Sequence, residues 1–459
     1  MTATAHDTKL ARTTLDEAIQ LHEAGNLDAA EPRYRIVIEH GYRIAEVLPI
    51  LAGILGLRGA NEAALELWER LLAIHPDHAV ALHEKGLILS RTGHPDLAIT
   101  ALRASCAADP ADPVAANNLA VMLSDAGHKT EALAQFTRAL ALQPGNIHIE
   151  HQIRRLSAEL VPFWLIPMLN DQRRNDAFEA AILAAIGRAG PDASVLDIGT
   201  GSGLLSMMAA RAGARSVTAC EMVPVIADMA RQIIADNGYD HRIAVHTAPS
   251  TQLQVGTHLD ARADILVSEI LSSDLLTEHV IATFEDAHAR LLKPDAIIIP
   301  RAASAIGCLV ESQLLADYVF VDQVSGFDLS RFGALASPKL PIHGTMTDWN
   351  RLSGDVELVH IDLTRAHHPN DLQLLQIDVL NSGIATGIVQ WMQLDLADGI
   401  AFDNHPDGYS DGGWLQVLHT FPEPIDVRAG DVLNVAVGHD RVTLVVRPLG
   451  VVAALAQVA

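Results

Sequence analysis

Two glutamates, Glu269 and Glu278, follow a predicted buried strand at 265–267 and stand nine residues apart. Glu269 comes directly after the strand, where open parallel sheets bind ligands, and a loop of this length can return Glu278 to face it. Two close carboxylates repel each other unless a cation lies between them. A guanidinium presents planar donors that match two carboxylates, so the pair predicts a site that holds a guanidinium and leaves one nitrogen more nucleophilic. The structural alternative is that Glu269 caps a strand and Glu278 favours the start of the next helix.

A glycine-rich turn precedes this segment. Gly199, Gly201 and Gly203 follow the predicted strand that begins at Ser194, and a predicted helix comes next. Dinucleotide-binding turns have their third glycine one position later, so a dehydrogenase is disfavoured. Asp197 stands two residues before the turn, where it can accept hydrogen bonds from an ammonium group. Glu221 ends the second predicted strand, where it can accept both ribose hydroxyls, so this arrangement predicts S-adenosylmethionine as the cofactor.

The first third of the chain is organised by a repeat of 34 residues. Three residue types recur at this spacing: glycine at 25, 59, 93 and 127, alanine at 30, 64, 98 and 132, and proline at 76, 110 and 144. The apolar pattern between them is helical, so each unit is predicted to be a helix hairpin with glycine in its turn. The pattern resembles the tetratricopeptide repeat, with about four units over 13–148 and a degenerate first unit. Such a stack presents a surface to a peptide or partner, and the alternative is a purely structural or dimerising extension.

Composition narrows the class of protein. The chain has 459 residues, a formal charge of −24, 49 % hydrophobic residues and three widely spaced cysteines. These cysteines form no metal-ligand spacing, so we expect no metal site and a reducing, cytoplasmic location. The acidity argues against nucleic-acid binding and favours cationic partners. No apolar stretch is long enough to span a membrane, so we expect none.

The strand, turn and glutamate motifs together resemble the protein arginine methyltransferase family. The resemblance rests on 195–203, Glu221 and the segment from Ser268 through Glu269 to Glu278, and it covers roughly 163–450. It implies that Glu269 and Glu278 are catalytic residues that hold the substrate guanidinium. The segment 168–175 is similar to the helix that precedes the family's core, which implies that Arg174 binds the cofactor carboxylate and Met168 lines the substrate pocket. We also count Ser250 among the cofactor-binding residues.

The same resemblance implies the downstream architecture. Residues 301–459 contain short alternating strands and are similar to the family's β-barrel. We therefore expect four segments: a tetratricopeptide-repeat solenoid at 13–148, a junction and pre-core helix at 149–178, a Rossmann-like α/β domain at 179–300 and an antiparallel β-barrel domain at 301–459. The region from Gly326 to Trp349 falls where the family inserts a dimerisation arm, although it is short, so a homodimer is one expectation.

The chain departs from the family pattern in one loop. Family members usually have a Thr-His-Trp sequence that lines the arginine pocket, whereas this chain has Gly412, Gly413 and Trp414. Trp414 is retained as a pocket residue, but the histidine is lost. The leading hypothesis is an S-adenosylmethionine-dependent protein arginine N-methyltransferase whose repeats recruit a protein or peptide substrate. Two alternatives stay open: a methyltransferase of the same fold that acts on a small molecule or other nucleophile, and a repeat scaffold with a silent module.

Overall fold

The chain divides into two compact units, which are described separately. The computed structural model describes residues 5–343, 346–408 and 413–453. The first unit is Met1–Leu160 and the second is Val161–Ala459. No helix in these described ranges is both long and apolar enough to cross a membrane.

The described part of the first unit is entirely helical. Gly25, Gly59, Gly93 and Gly127 each adopt a positive φ between paired helices, a backbone conformation that glycine adopts without strain. The repeating prolines each come two residues after the second helix of a hairpin, and the repeating alanines are fully buried. The predicted helix hairpins are therefore confirmed. The helices are α1 (Ala5–Glu23), α2 (Leu27–Glu39), α3 (Ile44–Leu57), α4 (Asn61–Ile74), α5 (Ala79–Arg91), α6 (Pro95–Ala108), α7 (Pro113–Asp125), α8 (Lys129–Leu142) and α9 (Ile147–Leu160).

The second unit begins with a short helix and a longer one that leads into a parallel sheet. Asp171 starts the longer helix by accepting a hydrogen bond from the Arg174 backbone N–H at 3.0 Å. The five strands are parallel in the order β3-β2-β1-β4-β5, as a Rossmann-like domain requires. The elements are α10 (Leu165–Leu169), α11 (Gln172–Ala189), β1 (Ser194–Ile198), α12 (Leu204–Ala212), β2 (Ser216–Glu221), α13 (Pro224–Asp236), β3 (Ile243–Thr247), β4 (Ala263–Ser268), α14 (Val280–Arg290) and β5 (Leu292–Ile299).

Two of the predicted segment boundaries differ from those of the structure. Helix α9 belongs to the first unit, whereas the sequence assigned most of it to a junction. Helix α11 continues through the predicted boundary at 178/179 because its buried apolar face runs on from Phe178 to Ile186.

Antiparallel sheets make up the rest of the second unit. A seven-stranded sheet has the order β10-β6-β13-β15-β9, with β11 also on β6 and β14 on β13, and a three-stranded sheet has the order β12-β16-β17. The elements are β6 (Ala302–Glu311), α15 (Gln313–Val319), β7 (Gln323–Val324), β8 (Phe327–Asp328), β9 (Lys339–Ile342), β10 (Asn350–Arg351), β11 (Val356–Asp362), β12 (Asp371–Asp378), β13 (Gly383–Ala397), β14 (Ile400–Asp403), β15 (Gln416–Val427), β16 (Val432–His439) and β17 (Leu444–Val452).

The predicted order of a helical repeat, a parallel sheet and an antiparallel domain is confirmed. Closure of the antiparallel strands into a barrel stays a prediction, because the pairings give three separate sheets: the seven-stranded one, the three-stranded one and the β7–β8 pair. The proposed arm, 326–349, begins in the turn between β7 and β8 and contains β8, a 3₁₀ segment (Ser330–Leu335) and β9, and its residues 344–345 lie outside the described ranges.

Candidate functional site

The glycine turn lies at the carboxyl end of β1, at the edge of the sheet where the predicted site residues gather. Gly199, Gly201 and Gly203 all have positive φ, at 75°, 55° and 83°. A Cβ on Gly199 would come within 2.5 Å of the Ile270 side chain, and one on Gly203 within 2.8 Å of Ile234. A Cβ therefore has no room at Gly199 or Gly203, whereas the nearest atom to a Cβ on Gly201 would be 3.7 Å away, so the turn is most open to a ligand at Gly201.

Asp197 is buried beneath this turn. One carboxyl oxygen accepts hydrogen bonds from the hydroxyls of Thr200, at 2.7 Å, and Ser206, at 2.5 Å. The other oxygen is buried and has no hydrogen-bond partner among the described residues. Burial raises the pKa of this carboxyl above its ordinary value. A buried acceptor without a partner is costly, so this oxygen marks a place where a ligand donor fits.

Glu221 ends β2 beside the same turn. Its two oxygens accept backbone hydrogen bonds from Gly201, at 3.2 Å, and from Val223, at 2.9 Å. The side chain is therefore held against the glycine turn rather than free in solvent. Ser250 is also buried at this edge, in a 3₁₀ turn (Ser250–Gln252) that follows β3, and its carbonyl accepts from Arg290 at 3.2 Å.

Arg174 lies in the first turn of α11 and is almost fully buried. Its guanidinium donates to Glu269 at 2.7 Å and to Asn175 at 2.8 Å. The rings of Phe178 and Trp414 lie 5.0 Å and 5.6 Å from the guanidinium carbon. The Nε of Arg174 is buried without a partner among the described residues. The arginine thus already contacts Glu269 and keeps one donor for a ligand.

The carboxylates of Glu269 and Glu278 are near enough for the charge of one to affect the pKa of the other. Glu269 is buried, and burial raises its pKa to about 7 although Arg174 beside it acts in the opposite direction; the negative charge of Glu278 adds to the rise. Glu278 is more exposed and makes no hydrogen bond or ion pair to any residue in the described ranges. Partial burial and the charge of Glu221 raise its pKa. Arg174 pairs with Glu269, so the charge of Glu278 has no cation beside it in the described ranges, and this balance leaves room for a further cation.

Trp414 and Met168 lie beside these charged residues. The indole N–H of Trp414 donates to the carbonyl of Leu271 at 2.8 Å, and the ring is buried. A Cβ on Gly413 would come within about 2.6 Å of the Met168 backbone, so the two predicted pocket segments pack directly against each other. Gly412, the first residue of the altered family loop, lies outside the described residues.

Some contacts at the site were not predicted from the sequence. Leu165 on α10 approaches to 3.7 Å from where a Cβ on Gly201 would stand, and Ile270 covers Gly199. Ser206 could have been found, because the first turn of a helix after a glycine turn faces the end of the preceding strand. The contact between Arg174 and Glu269 spans 95 residues and carries no local signal.

Comparisons with known proteins identify similar chains. A family profile described as ribosomal protein L11 methyltransferase (PrmA) matches residues 181–302, and one described as tetratricopeptide repeat matches 83–147. An arginine N(omega)-methyltransferase of Streptomyces achromogenes subsp. streptozoticus is 34 % identical over 329 residues, which cover 71 % of this chain and 90 % of that protein.

Other relatives are matched over a smaller share of their length. Protein arginine N-methyltransferase 7 of Drosophila erecta is 30 % identical over 60 % of this chain and 46 % of that protein, so the chain spans about half of it. Among solved structures, a Trypanosoma brucei PRMT1 enzyme-prozyme complex with AdoHcy gives a TM-score of 0.53 at 24 % identity, covering 60 % of this chain and 86 % of that one. The similarity to this solved structure concerns the fold alone.

Proposed function

Because the chain belongs to the arginine N-methyltransferase family, we propose that it transfers a methyl group from S-adenosylmethionine to a guanidinium nitrogen of arginine. The observation that carries this proposal is the arrangement at the carboxyl edge of the parallel sheet. There a bare glycine turn, an arginine with a free donor and two glutamates converge. The glycine turn and the arginine suit an adenosine cofactor with a charged amino-acid end, and the two glutamates suit a planar cation.

The residues at this edge fit the cofactor. The unpartnered oxygen of Asp197 would accept from its amino group, and the free Nε of Arg174 would donate to its carboxylate. Glu221 would accept from the ribose hydroxyls, beside the bare turn at Gly199 and Gly201. When bound, the cofactor supplies a methyl group activated by a positively charged sulfur. We assign Ser250 and Gly203 to the same set because both are buried at this edge.

Glu269 and Glu278 would hold the substrate guanidinium by charge-assisted hydrogen bonds. Held in this way, one guanidinium nitrogen would be oriented as the nucleophile for the methyl group that the cofactor would supply, with the cofactor's thioether as the leaving group. Catalysis then comes mainly from orientation and electrostatics. The step releases one proton from the methylated guanidinium. Glu278, which has no protein partner in the described ranges, is the carboxylate available to accept it.

The substrate itself is proposed in two forms. We propose a protein or peptide arginine, recruited by the tetratricopeptide repeats of the first unit. Free arginine, a small molecule, is the second candidate, because the name of the Streptomyces relative specifies arginine without specifying a protein. Loss of the family's loop histidine at Gly413 is compatible with either form. A silent scaffold is disfavoured because a module that only bound the cofactor would have no use for two mutually repelling acids, Glu269 and Glu278.

The test is transfer of labelled methyl from S-adenosylmethionine to an arginine-and-glycine-rich peptide and to free arginine. We expect the intact chain to methylate arginine, and Glu269→Gln and Glu278→Gln to lose roughly a hundredfold or more of the rate, since each removes one charged partner of the guanidinium. Both variants should still bind the cofactor in calorimetry. Glu179→Gln, on the exposed side of α11 opposite Arg211, is the matched control and should keep full activity.

Two results would contradict the proposal. Cofactor binding without transfer to peptide arginine, free arginine or whole-cell extract would leave a different methyltransferase substrate or a silent module. Full activity in both glutamate variants would show that Glu269 and Glu278 do not hold the substrate guanidinium, although the chain would still be a methyltransferase.

We further propose a homodimer formed through the arm at 326–349. Support comes from its apolar side chains: Phe327, Phe332 and Leu335 are each about 70 % exposed or more, which is unusual for a surface without a partner.

A further inference from the structure

The loop that separates the two proposed catalytic glutamates, residues 269–278 and here called the glutamate loop, has two backbone hydrogen bonds of its own, from the Leu275 N–H to the Ser272 carbonyl and from the Leu276 N–H to the Asp274 carbonyl. Leu275 has a φ of 69°, a left-handed conformation that is strained for a side chain of this kind, and its side chain is fully buried. Glu278 makes no hydrogen bond of its own within the described ranges, so its position depends on the loop. Contacts from other elements add to these bonds, among them the donations from Trp414 to the Leu271 carbonyl and from the Leu415 N–H to the Ser273 hydroxyl.

A lysine of the antiparallel domain supplies one of these contacts. Lys339 is the first residue of β9, and its ammonium lies 2.7 Å from both carboxyl oxygens of Asp274 in the glutamate loop. The two side chains are only 23 % and 14 % exposed, so removing either charge leaves the other largely desolvated and unpaired. This ion pair is therefore sensitive to the loss of one partner.

A buried amide supplies the second contact. Gln390 on β13 is fully buried and donates to the carbonyl of Ser273 at 3.2 Å. Its oxygen lies 2.6 Å from the Nε2 of His419, and burial lowers the pKa of His419 to about 3, so the imidazole is neutral. Because the carbonyl of Ser273 can only accept, the amide nitrogen of Gln390 must face the loop and the amide oxygen must face His419. The neutral imidazole therefore carries its proton on Nε2 and donates to that oxygen, which supports this orientation of Gln390.

We propose that Lys339 and Gln390 are positioning residues for the arginine methyl transfer: by holding Asp274 and Ser273, they set where Glu278 stands relative to Glu269. This inference rests on the proposed function. Neither residue contacts the cofactor-binding set, so loss of either should disturb the arginine site and spare the cofactor site. Loss of a residue that only stabilised the fold would impair the arginine site and the cofactor site alike.

The experiment changes the Lys339–Asp274 ion pair in the full chain. We expect Lys339→Met to lower kcat/KM for an arginine substrate by roughly tenfold to a hundredfold, because small displacements of positioning groups have effects of this size. The dissociation constant for S-adenosylmethionine should stay within about twofold, since the affected contacts lie outside the cofactor set. Lys339→Arg should keep most of the activity. The exchange Lys339→Asp with Asp274→Lys should recover activity that each single variant loses.

The control is a second lysine–aspartate pair of the same unit. Lys293 lies 2.5 Å from Asp264 at the amino end of β4, the end opposite the glutamate loop. Lys293→Met should leave kcat/KM unchanged. Gln390→Met, which keeps the side-chain volume but loses both hydrogen bonds, tests the second contact. Combined with Lys339→Met it should cost less than the product of the two single effects, because both act through one loop.

Three outcomes would overturn the inference. One is an unchanged kcat/KM in Lys339→Met and Gln390→Met while the parent chain is active. Another is a loss that follows the melting temperature equally in Lys339→Met and Lys293→Met, which would indicate a structural role alone. The third is absence of arginine methylation by the parent chain, which would refute the proposed function and this inference with it.

Discussion

At the scale of single residues, the pairing of Arg174 with Glu269 is the notable feature of the site. A buried ion pair rarely stabilises a fold more than apolar packing would, because both charges lose their hydration. Each partner here has a second use in the proposed reaction, Arg174 toward the cofactor carboxylate and Glu269 toward the guanidinium. The pair therefore keeps two buried charges compensated until ligands replace the contact.

The raised pKa of Glu269 predicts a pH dependence of activity. Its ordinary value is 4.5 and its value in the fold is about 7. Only the ionised carboxyl can hold a guanidinium, so we expect kcat/KM for arginine to rise with pH, with a midpoint near 7, and to level off above it. A pH–rate profile measured at saturating cofactor checks this. A flat profile between pH 6 and 8, values chosen about one unit either side of that midpoint, would contradict it.

The same shift has a consequence for stability. Because the native pKa lies above the unfolded one, the native state binds more protons between pH 4.5 and about 7, and the contribution of Glu269 to the free energy of unfolding declines over that window. Above it the contribution is constant. Glu269→Gln cannot titrate there, so its unfolding should lack this part of the pH dependence.

At the scale of elements, local sequence patterns predicted the glycine turn and the acid beside it, whereas the glutamate loop also has tertiary contacts that no local pattern indicates. The β1 strand, the turn at Gly199 and the acid at Glu221 are neighbours in a short segment, and the structure has them as predicted. Two of the contacts on the glutamate loop come from Lys339 and Gln390, which are 65 and 117 residues away from their partners. No local pattern carries that information, so the sequence indicated two glutamates but not what holds them.

The glycine turn offers a prediction at this scale. In Gly199→Ala, the new methyl group would stand 2.5 Å from Ile270, next to Glu269, at a backbone φ of 75°. We expect a loss of about 1 to 3 kcal/mol in the free energy of unfolding together with weaker cofactor binding. Gly213→Ala is the matched control, since Gly213 has a φ of 107° and open space around its Cβ position. Denaturant unfolding and calorimetry measure both effects.

The Gly213→Ala control distinguishes the effect of backbone strain from that of the contact with Ile270. If Gly213→Ala loses as much stability as Gly199→Ala, backbone strain alone explains the loss and the contact with Ile270 contributes nothing. If Gly199→Ala binds the cofactor as tightly as the parent chain, the place of Gly199 in the proposed cofactor-binding set is refuted.

At the scale of the whole molecule, each unit has its own apolar core. Trp68 and Leu71 belong to a cluster of buried side chains drawn from residues 15–88, and Phe178 and Phe284 belong to one drawn from residues 178–444. All the residues assigned to the cofactor and the guanidinium lie in the second unit. The acidic balance of the chain, −24, favours basic substrates through long-range attraction.

Separate cores predict that the second unit works without the repeats. We expect residues 161–459, expressed alone, to bind S-adenosylmethionine within about threefold of the affinity of the full chain, because its packed core and site residues are all retained. The turnover of a short arginine peptide should also be retained. For a protein substrate, KM should rise when the repeats are removed, since recruitment is the role proposed for them. Equal KM values for the two chains would contradict recruitment, and loss of cofactor affinity by residues 161–459 would contradict the independence of the two cores.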